Sequence, residues 1–170
     1  MKAGNYVLVH TIVYLSLGSN VGDRSANLKD AIARLAELGH VIAISSCYET
    51  EPVEFTAQSW FLNCAVKLDT EKTPQQLLAG ILDLEQTMGR RRLRGQKKGP
   101  RTIDIDILLF GDLTVEMEGL TIPHTAMHER RFVLEPLAEI ASDGRHPVLH
   151  KTIRELRDAL PAGAVVRKLK

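Results

Sequence analysis

Hydrophobic residues recur along this chain in two kinds of segment, and the two kinds alternate. Short apolar or alternating runs predict four strands, at residues 12–17, 41–48, 61–69 and 103–110. A spacing of three to four residues predicts two helices, at 27–38 and 74–88, each followed by a glycine. The order β-α-β-β-α-β is that of the ferredoxin-like α+β fold, an antiparallel sheet with both helices on one face. The other face is then left for a ligand.

The length of 170 residues suits a single domain, which we expect over 1–170. Within it we expect an N-terminal extension at 1–11 and a C-terminal tail at 148–170. The region after Pro123 is predicted to be a C-terminal extension with helical pieces near 132–140 and 152–160. The apolar run at 7–17 is too short to span a bilayer and precedes no signal-peptide cleavage pattern. We therefore expect a cytoplasmic protein that contacts no membrane.

The overall charge is nearly balanced, with 22 basic and 21 acidic residues. The basic residues are unevenly distributed, because the segment 89–101 holds seven of them and no acid. The rest of the chain is therefore net acidic. A local anion site fits this pattern better than a broad nucleic-acid surface, so no nucleic-acid partner is expected.

Two aspartates alternate with isoleucines in the last predicted strand, at Asp104 and Asp106. The two-residue period places both carboxylates on one face, about 7 Å apart along the backbone, with the isoleucines in the core. Like charges on one face repel unless a cation bridges them, and two carboxylates with substrate phosphates suit Mg²⁺. The alternative is a solvated outer face with two acids.

Arginines just upstream make a phosphate-handling site the stronger interpretation. Arg90, Arg92 and Arg101 offer planar forks that match phosphate oxygens. Carboxylates for a metal beside arginines for phosphate are typical of phosphoryl transfer. No Walker phosphate-binding loop occurs in the sequence. A flexible solvated loop or an RNA-contacting loop are the alternatives for the arginines.

Phe61 and Asn63 share the face of their strand opposite the predicted core. An aromatic ring can stack on a flat heterocycle, and an amide can both donate and accept hydrogen bonds at its edge. His124 and Arg130 form a second polar cluster, with Phe132 close behind them in the sequence. Simple packing for the aromatic residues and a surface position for the histidine are the alternatives.

Five short motifs occur in one order: YLSLGSN at 14–20, YET at 48–50, FLN at 61–63, GPRTIDID at 99–106 and IPH at 122–124. Together they resemble the 6-hydroxymethyl-7,8-dihydropterin pyrophosphokinase family of folate biosynthesis over residues 12–147. The resemblance implies a ferredoxin-like fold and an enzyme that transfers pyrophosphate from ATP to the hydroxymethyl oxygen of the pterin, releasing AMP. It also implies two Mg²⁺ ions as cofactors and ATP as co-substrate.

The resemblance further implies a role for individual residues. Asp104 and Asp106 would be the metal ligands, in a catalytic set completed by Arg90, Arg92 and Arg101. The ATP phosphates would contact Arg92, His124 and Arg130, and the nucleoside end would lie against Glu85, Ile107 and Thr121. The pterin ring would lie between Phe61 and Phe132, with Asn63 at its edge, Asp104 beside it, and Thr50 and Val53 helping through backbone groups. No general base is assigned.

Three positions depart from the family pattern, namely Glu54, Lys98 and Thr125. They bear on lid closure, for which we consider the loops 50–59 and 90–99. The main alternative function is a non-catalytic RNA-binding module of the same topology, although such a module favours aromatic residues where this strand has aspartates. A metal-dependent nuclease is a third interpretation. We expect ATP and the dihydropterin as small-molecule partners, and a monomer.

Overall fold

An antiparallel sheet of six strands forms the centre of the molecule in the computed structural model, which describes residues 9–52, 59–89 and 101–170. The strands in chain order are β1 (Thr11–Ser19), β2 (His40–Ile44), β3 (Tyr48–Thr50), β4 (Phe61–Thr70), β5 (Asp104–Phe110), the hairpin β6 (Val115–Met117) and β7 (Leu120–Ile122), and β8 (Val166–Lys168). The main sheet has the order β5-β1-β4-β3-β8, with β2 also paired to β4, and β6 and β7 form a separate two-stranded sheet. This arrangement confirms the predicted α+β fold.

Two helices cover the first face of the sheet, α1 (Arg24–Arg34) and α2 (Pro74–Thr87). Asp23 caps α1 by accepting a hydrogen bond from the backbone N–H of Ala26 at 3.0 Å. Thr73 and Gln76 form a reciprocal capping box at the start of α2, followed by a proline in its first turn. Both helix starts follow local sequence signals.

The first hydrophobic core lies between these helices and the sheet. Alternate residues of the strands point into it, as the two-residue period requires. The fully or nearly fully buried strand residues include Val13, Leu15, Leu17, Leu62, Cys64, Val66, Leu68, Ile105 and Ile107, with Ile103 just before β5, and the helices contribute Leu28, Ala31, Leu77, Ile81 and Leu84. The predicted inward placement of the isoleucines around the two aspartates is therefore confirmed.

A second core covers part of the other face, which differs from the expectation that this face is left for a ligand. The helices α3 (Arg131–Ala141) and α4 (Ile153–Asp158) pack there against Ala65, Leu108 and Leu109. The register between β1 and β5 shifts beside Leu15, so the two consecutive leucines of β5 both reach this core. The apolar side of α3 needs a partner, and the sheet supplies it. The site residues lie further along the same face.

The predicted strand at 41–48 is wrong in its continuity, because it divides into β2 and β3. Side chains cause the break. The Ser45 hydroxyl accepts a hydrogen bond from the N–H of Ala65 at 2.8 Å, and Ser46 turns its N–H and hydroxyl toward Glu139 on α3. Serine groups of this kind compete with backbone pairing. The region 148–170 contains α4 and the additional strand β8, which pairs with β3.

In the part of the chain described here, no helix is long and apolar enough to cross a membrane. The expectations of one domain over 1–170, a monomer and a cytoplasmic location stay predictions.

Glu139 joins α3 to the junction between β2 and β3. Its carboxylate accepts hydrogen bonds from the N–H and hydroxyl of Ser46 at 2.8 and 2.7 Å, and from the Tyr48 hydroxyl at 2.6 Å. Burial and the bond to Glu139 both raise the pKa of Tyr48, so the phenol stays protonated and donates. This carboxylate holds the short strand β3 in place.

We predict that Glu139→Ala lowers the free energy of unfolding by about 1–3 kcal/mol, the scale for leaving a buried donor such as the Tyr48 hydroxyl without an acceptor. Glu135→Ala is the matched control on the same helix. Its carboxylate pairs with the part-exposed Arg131 at 3.1 Å, and such pairs contribute about 0.3–0.5 kcal/mol. Urea unfolding of both variants measures the difference. Equal losses of unfolding free energy in the two variants would contradict the role of Glu139 in holding β3.

Candidate active site

Three positions of the candidate site form one row across the sheet. Asp104 on β5 pairs with Gly18 on β1, and Gly18 pairs with Asn63 on β4. Directly paired residues point to the same face, and neighbouring strands lie about 4.8 Å apart. The backbones of Asp104 and Asn63 are therefore roughly 10 Å apart with a glycine between them. Asp106, two residues along its strand, belongs to the same face.

Gly18 leaves space that the neighbouring side chains occupy. A Cβ atom at this position would lie 2.6 Å from Oδ1 of Asn63 and 3.5 Å from Cδ1 of Phe61. Asn63 cannot easily move away, because it is buried and its Nδ2 donates to the hydroxyl of Thr50 at 2.6 Å. The missing side chain at Gly18 thus leaves room for the Asn63 amide and the Phe61 ring to lean over β1 beside the carboxylate. Phe61 and Asn63 lie on the face opposite the first core, as predicted.

The turn after β1 fixes the start of β5. The N–H of Arg101 donates to Oδ1 of the buried Asn20 at 2.7 Å, and the N–H of Asn20 donates back to the Arg101 carbonyl at 3.1 Å. The Arg101 guanidinium also pairs with the Asp104 carboxylate at 2.8 Å. Asn20 is therefore a positioning residue that the sequence analysis missed. An asparagine directly after a Gly-Ser turn was the available signal, but its partner lies 81 positions away.

A cleft of about 350 Å³ lies beside the aspartates. Six of the predicted site residues line it: Glu85, Asp104, Asp106, Ile107, Thr121 and His124. Glu85 on α2 is almost completely buried, and its carboxylate accepts a hydrogen bond from the N–H of Ile105 at 3.0 Å. That bond fixes α2 to β5, so one wall of the cleft is rigid. The structure brings the predicted metal ligands and the predicted nucleoside contacts into one space.

His124 enters this cleft with a defined arrangement of its ring nitrogens. Its Nδ1 accepts a hydrogen bond from the N–H of Ala126 at 3.2 Å, so the neutral ring carries its proton on Nε2. Burial lowers the pKa of His124, and the charge of Arg130 lowers it further, while Asp104 opposes the shift. His124 is therefore a neutral donor at pH 7.

A second cavity of about 190 Å³ lies between β3, the start of α3 and the chain before β8. It is bordered by three predicted site residues, Thr50, Arg130 and Phe132. The Arg130 guanidinium carbon lies 5.6 Å from the centre of the Phe132 ring, a cation–π contact that orients both groups. Thr50 borders this cavity and also bonds Asn63, so it links the cavity to the row across the sheet.

The remaining predicted positions fall outside the described residues. They are Val53, Arg90 and Arg92, together with Glu54, Lys98 and most of both candidate lid loops. Within the described ranges no group of three or more His, Cys, Asp or Glu residues could hold a metal ion. Asp104 and Asp106 alone still fit Mg²⁺, because this ion commonly takes one or two protein carboxylates and completes its shell with phosphates and water.

A ferredoxin-like sheet with paired carboxylates, a neutral histidine and a ring-sized recess defines a candidate nucleotide-dependent transferase. Residues 14–142 match the model of the 7,8-dihydro-6-hydroxymethylpterin-pyrophosphokinase (HPPK) family, and the chain therefore belongs to that family. This confirms the resemblance seen in the sequence.

Individual relatives agree with the family match. The chain is 48% identical over 135 residues to the 2-amino-4-hydroxy-6-hydroxymethyldihydropteridine pyrophosphokinase of Methylorubrum extorquens. This alignment covers 78% of this chain and 84% of the relative. The protein of the same name from Bacillus subtilis is 46% identical over 78% of this chain and 79% of its own length. The folic acid synthesis protein fol1 of Schizosaccharomyces pombe is 41% identical over 91% of this chain, which spans only 21% of that protein.

Solved structures show the same fold. The Plasmodium falciparum HPPK-DHPS triple mutant S436F/A437G/A613S, solved with SDX-DHP, superposes with a TM-score of 0.73 at 21% identity. The match covers 91% of this chain and 45% of that one. At this identity the likeness concerns the fold alone.

The lowered pKa of His124 predicts a pH dependence of stability. The unfolded chain protonates this ring near pH 6.5, whereas the folded chain resists protonation until lower pH. The unfolded state therefore binds more protons as the pH falls below about 6.5, and that part of the stability is present above this value and lost below it.

We expect the fall in unfolding free energy between pH 7.5 and 5.5 to be smaller in His124→Gln than in the wild type. His40→Gln on the exposed edge of β2 is the control. Urea unfolding at the two pH values measures it. If the unfolding free energy falls by the same amount in His124→Gln as in the wild type, the folded chain does not resist protonation of this ring.

Proposed function

We propose that the chain transfers the pyrophosphoryl group of ATP to the hydroxymethyl oxygen of 6-hydroxymethyl-7,8-dihydropterin and releases AMP. One observation carries the proposal: Asp104, Gly18 and Asn63 form a single row on one face of the sheet. The Asp104 carboxylate, which suits a metal–phosphate complex, is thus separated by one strand from the Asn63 amide, which suits the edge of a heterocycle. The strand between them has a glycine at this position. The names of the bacterial relatives support the same reaction.

The pterin would lie over β4 and β3, beside the Asn63 amide. Phe61 offers its ring for stacking, and offset stacking of flat rings contributes about 0.5–1.5 kcal/mol beyond the buried area. The Asn63 amide is held by Thr50, so it presents a fixed pattern of donor and acceptor to the ring edge. Phe132 supplies the second ring from the start of α3. Val53 is proposed to assist through its backbone.

ATP would occupy the cleft beside Asp104. Glu85, Ile107 and Thr121 line the cleft and are proposed to hold the nucleoside end. His124 donates from Nε2 toward the phosphates, and Arg130 adds a positive charge next to it. Arg90 and Arg92 belong to the proposed phosphate and catalytic set through the family resemblance alone.

Asp104 and Asp106 would hold the two Mg²⁺ ions of the proposal. When bound, the metal neutralises phosphate charge and polarises the phosphorus–oxygen bonds. Arg101 lies against Asp104 at 2.8 Å, and its guanidinium is proposed to stabilise the transferred group. Fixed charges of this kind stabilise the transition state because they need not reorganise during the reaction.

We propose the following bond changes. The hydroxymethyl oxygen attacks the β-phosphorus of ATP in line with the oxygen that bridges the α- and β-phosphates. That bridging bond breaks, AMP leaves with the bridging oxygen, and the hydroxyl proton passes to solvent. The pyrophosphoryl group is then an ester of the pterin. Positioning and charge neutralisation carry such a reaction.

The test mixes the chain with ATP, Mg²⁺ and the dihydropterin and separates the nucleotides. We expect AMP only when pterin and metal are both present, and at least about 10²-fold slower formation in Asp104→Asn or Asp106→Asn, the scale for losing one preorganised charge partner. Asp112→Asn, in the exposed turn after β5, is the matched control and should keep wild-type turnover. ADP instead of AMP would contradict the reaction, and full activity in both aspartate variants would contradict the metal site.

A further inference from the structure

The C-terminal segment forms part of the candidate site although the family match ends before it. The match covers residues 14–142, whereas residues 160–166 border the cavity that holds Thr50, Arg130 and Phe132. The strand β8 follows directly and pairs with β3 along its outer edge. A segment outside the matched region thus contacts residues inside it that are proposed to bind substrate.

Backbone and side-chain bonds fix this segment at both ends. The N–H of Glu51 donates to the Val165 carbonyl at 3.2 Å, and the N–H of Val165 donates to the Glu51 carboxylate at 3.0 Å. At the other end, the Arg131 guanidinium on α3 donates to the carbonyls of Leu160 and Pro161 at 3.2 and 3.3 Å. The segment is therefore tied to β3 and to α3, the two elements that flank the cavity.

The opposite face of β8 is held by charge. The Glu49 carboxylate on β3 pairs with Arg167 on β8 at 2.6 Å and with Arg24 on α1 at 2.9 Å. Hydrogen bonds from these two arginines, Arg167 first, lower the pKa of Glu49, so the carboxylate stays ionised. The Arg167 guanidinium carbon also lies 5.7 Å from the centre of the Trp60 ring. These contacts secure β8 without using its cavity-facing side.

Val166 faces the cavity side. It pairs with Thr50, and Thr50 pairs with Phe61, so these three residues form a second row on the face that carries Asn63. Side chains paired across strands have Cβ atoms about 4.5–5.5 Å apart. A flat ring that lies over Phe61 and Thr50 therefore meets the Val166 side chain next.

We propose that residues 160–168 form the outer wall of the dihydropterin subsite and that Val166 is the residue of this wall that limits the space for the ring. The inference rests on the proposed function, because it concerns the subsite for that substrate. It adds a segment and a specificity-determining residue that the family match does not contain.

The test enlarges position 166 in steps and measures ring binding directly. Val166→Leu and Val166→Phe progressively fill the cavity of about 190 Å³. Calorimetric titration with 6-hydroxymethyl-7,8-dihydropterin, in the presence of Mg²⁺ and a non-hydrolysable ATP analogue, gives the dissociation constant. We expect it to rise in order of size, by at least tenfold for Val166→Phe, while the dissociation constant of the ATP analogue changes less than twofold.

Leu169→Phe is the matched control, because Leu169 is part-exposed, follows β8 and does not line the cavity. It should bind the dihydropterin like the wild type. Circular dichroism checks that each variant is folded. If Val166→Phe does not fold, the dissociation constant of Val166→Leu decides the test. Wild-type binding in a folded Val166→Phe chain would overturn the wall, as would equal losses for pterin and nucleotide. A wild-type chain that binds pterin without forming AMP would overturn the proposed reaction and leave the wall supported by its own titrations.

Discussion

The candidate site depends on the register of β1 between β4 and β5. This central strand pairs Gly18 with Asp104 on one side and with Asn63 on the other. Because side chains alternate along a strand, a shift of β5 by one residue in its pairing with β1 would turn the aspartates into the core and the isoleucines toward the ligand. The buried alternation of Leu15 and Leu17 against both neighbours makes such a slip very costly. The hydrophobic core thus determines where the chemical groups stand.

Polar contacts then refine what the core has placed. Asn20 holds the backbone of Arg101 before β5 begins, and buried Glu85 holds the N–H of Ile105 from the helix side. Both bonds act on the strand that carries Asp104 and Asp106. On the other side of the row, Thr50 fixes the Asn63 amide. The carboxylates and the amide are therefore preorganised by these bonds before a substrate binds.

Local patterns predicted the parts of the site that a single strand defines. The two-residue period placed Asp104 with Asp106, and Phe61 with Asn63, on the correct faces. The division of 41–48 could not be predicted locally, because it depends on Ser46 meeting Glu139, which lies 93 positions away. The pairing of β8 with β3 is equally long-range. The family resemblance linked the aspartates to His124 and Thr121, and the cleft confirms that these residues are neighbours.

The most direct test of the account replaces the glycine at the centre of the row. A glycine-to-alanine substitution in a strand is ordinarily neutral or stabilises the folded chain by about 0.4–1 kcal/mol. Weaker binding in Gly18→Ala would therefore report the loss of the space that the Asn63 amide occupies. The measurement is the dissociation constant of the dihydropterin for Gly18→Ala, Asn63→Ala and the double variant, each with Mg²⁺ and a non-hydrolysable ATP analogue. The account predicts at least tenfold weaker binding for Gly18→Ala alone and a much smaller further loss when Asn63 is already alanine. Wild-type affinity in Gly18→Ala would contradict it.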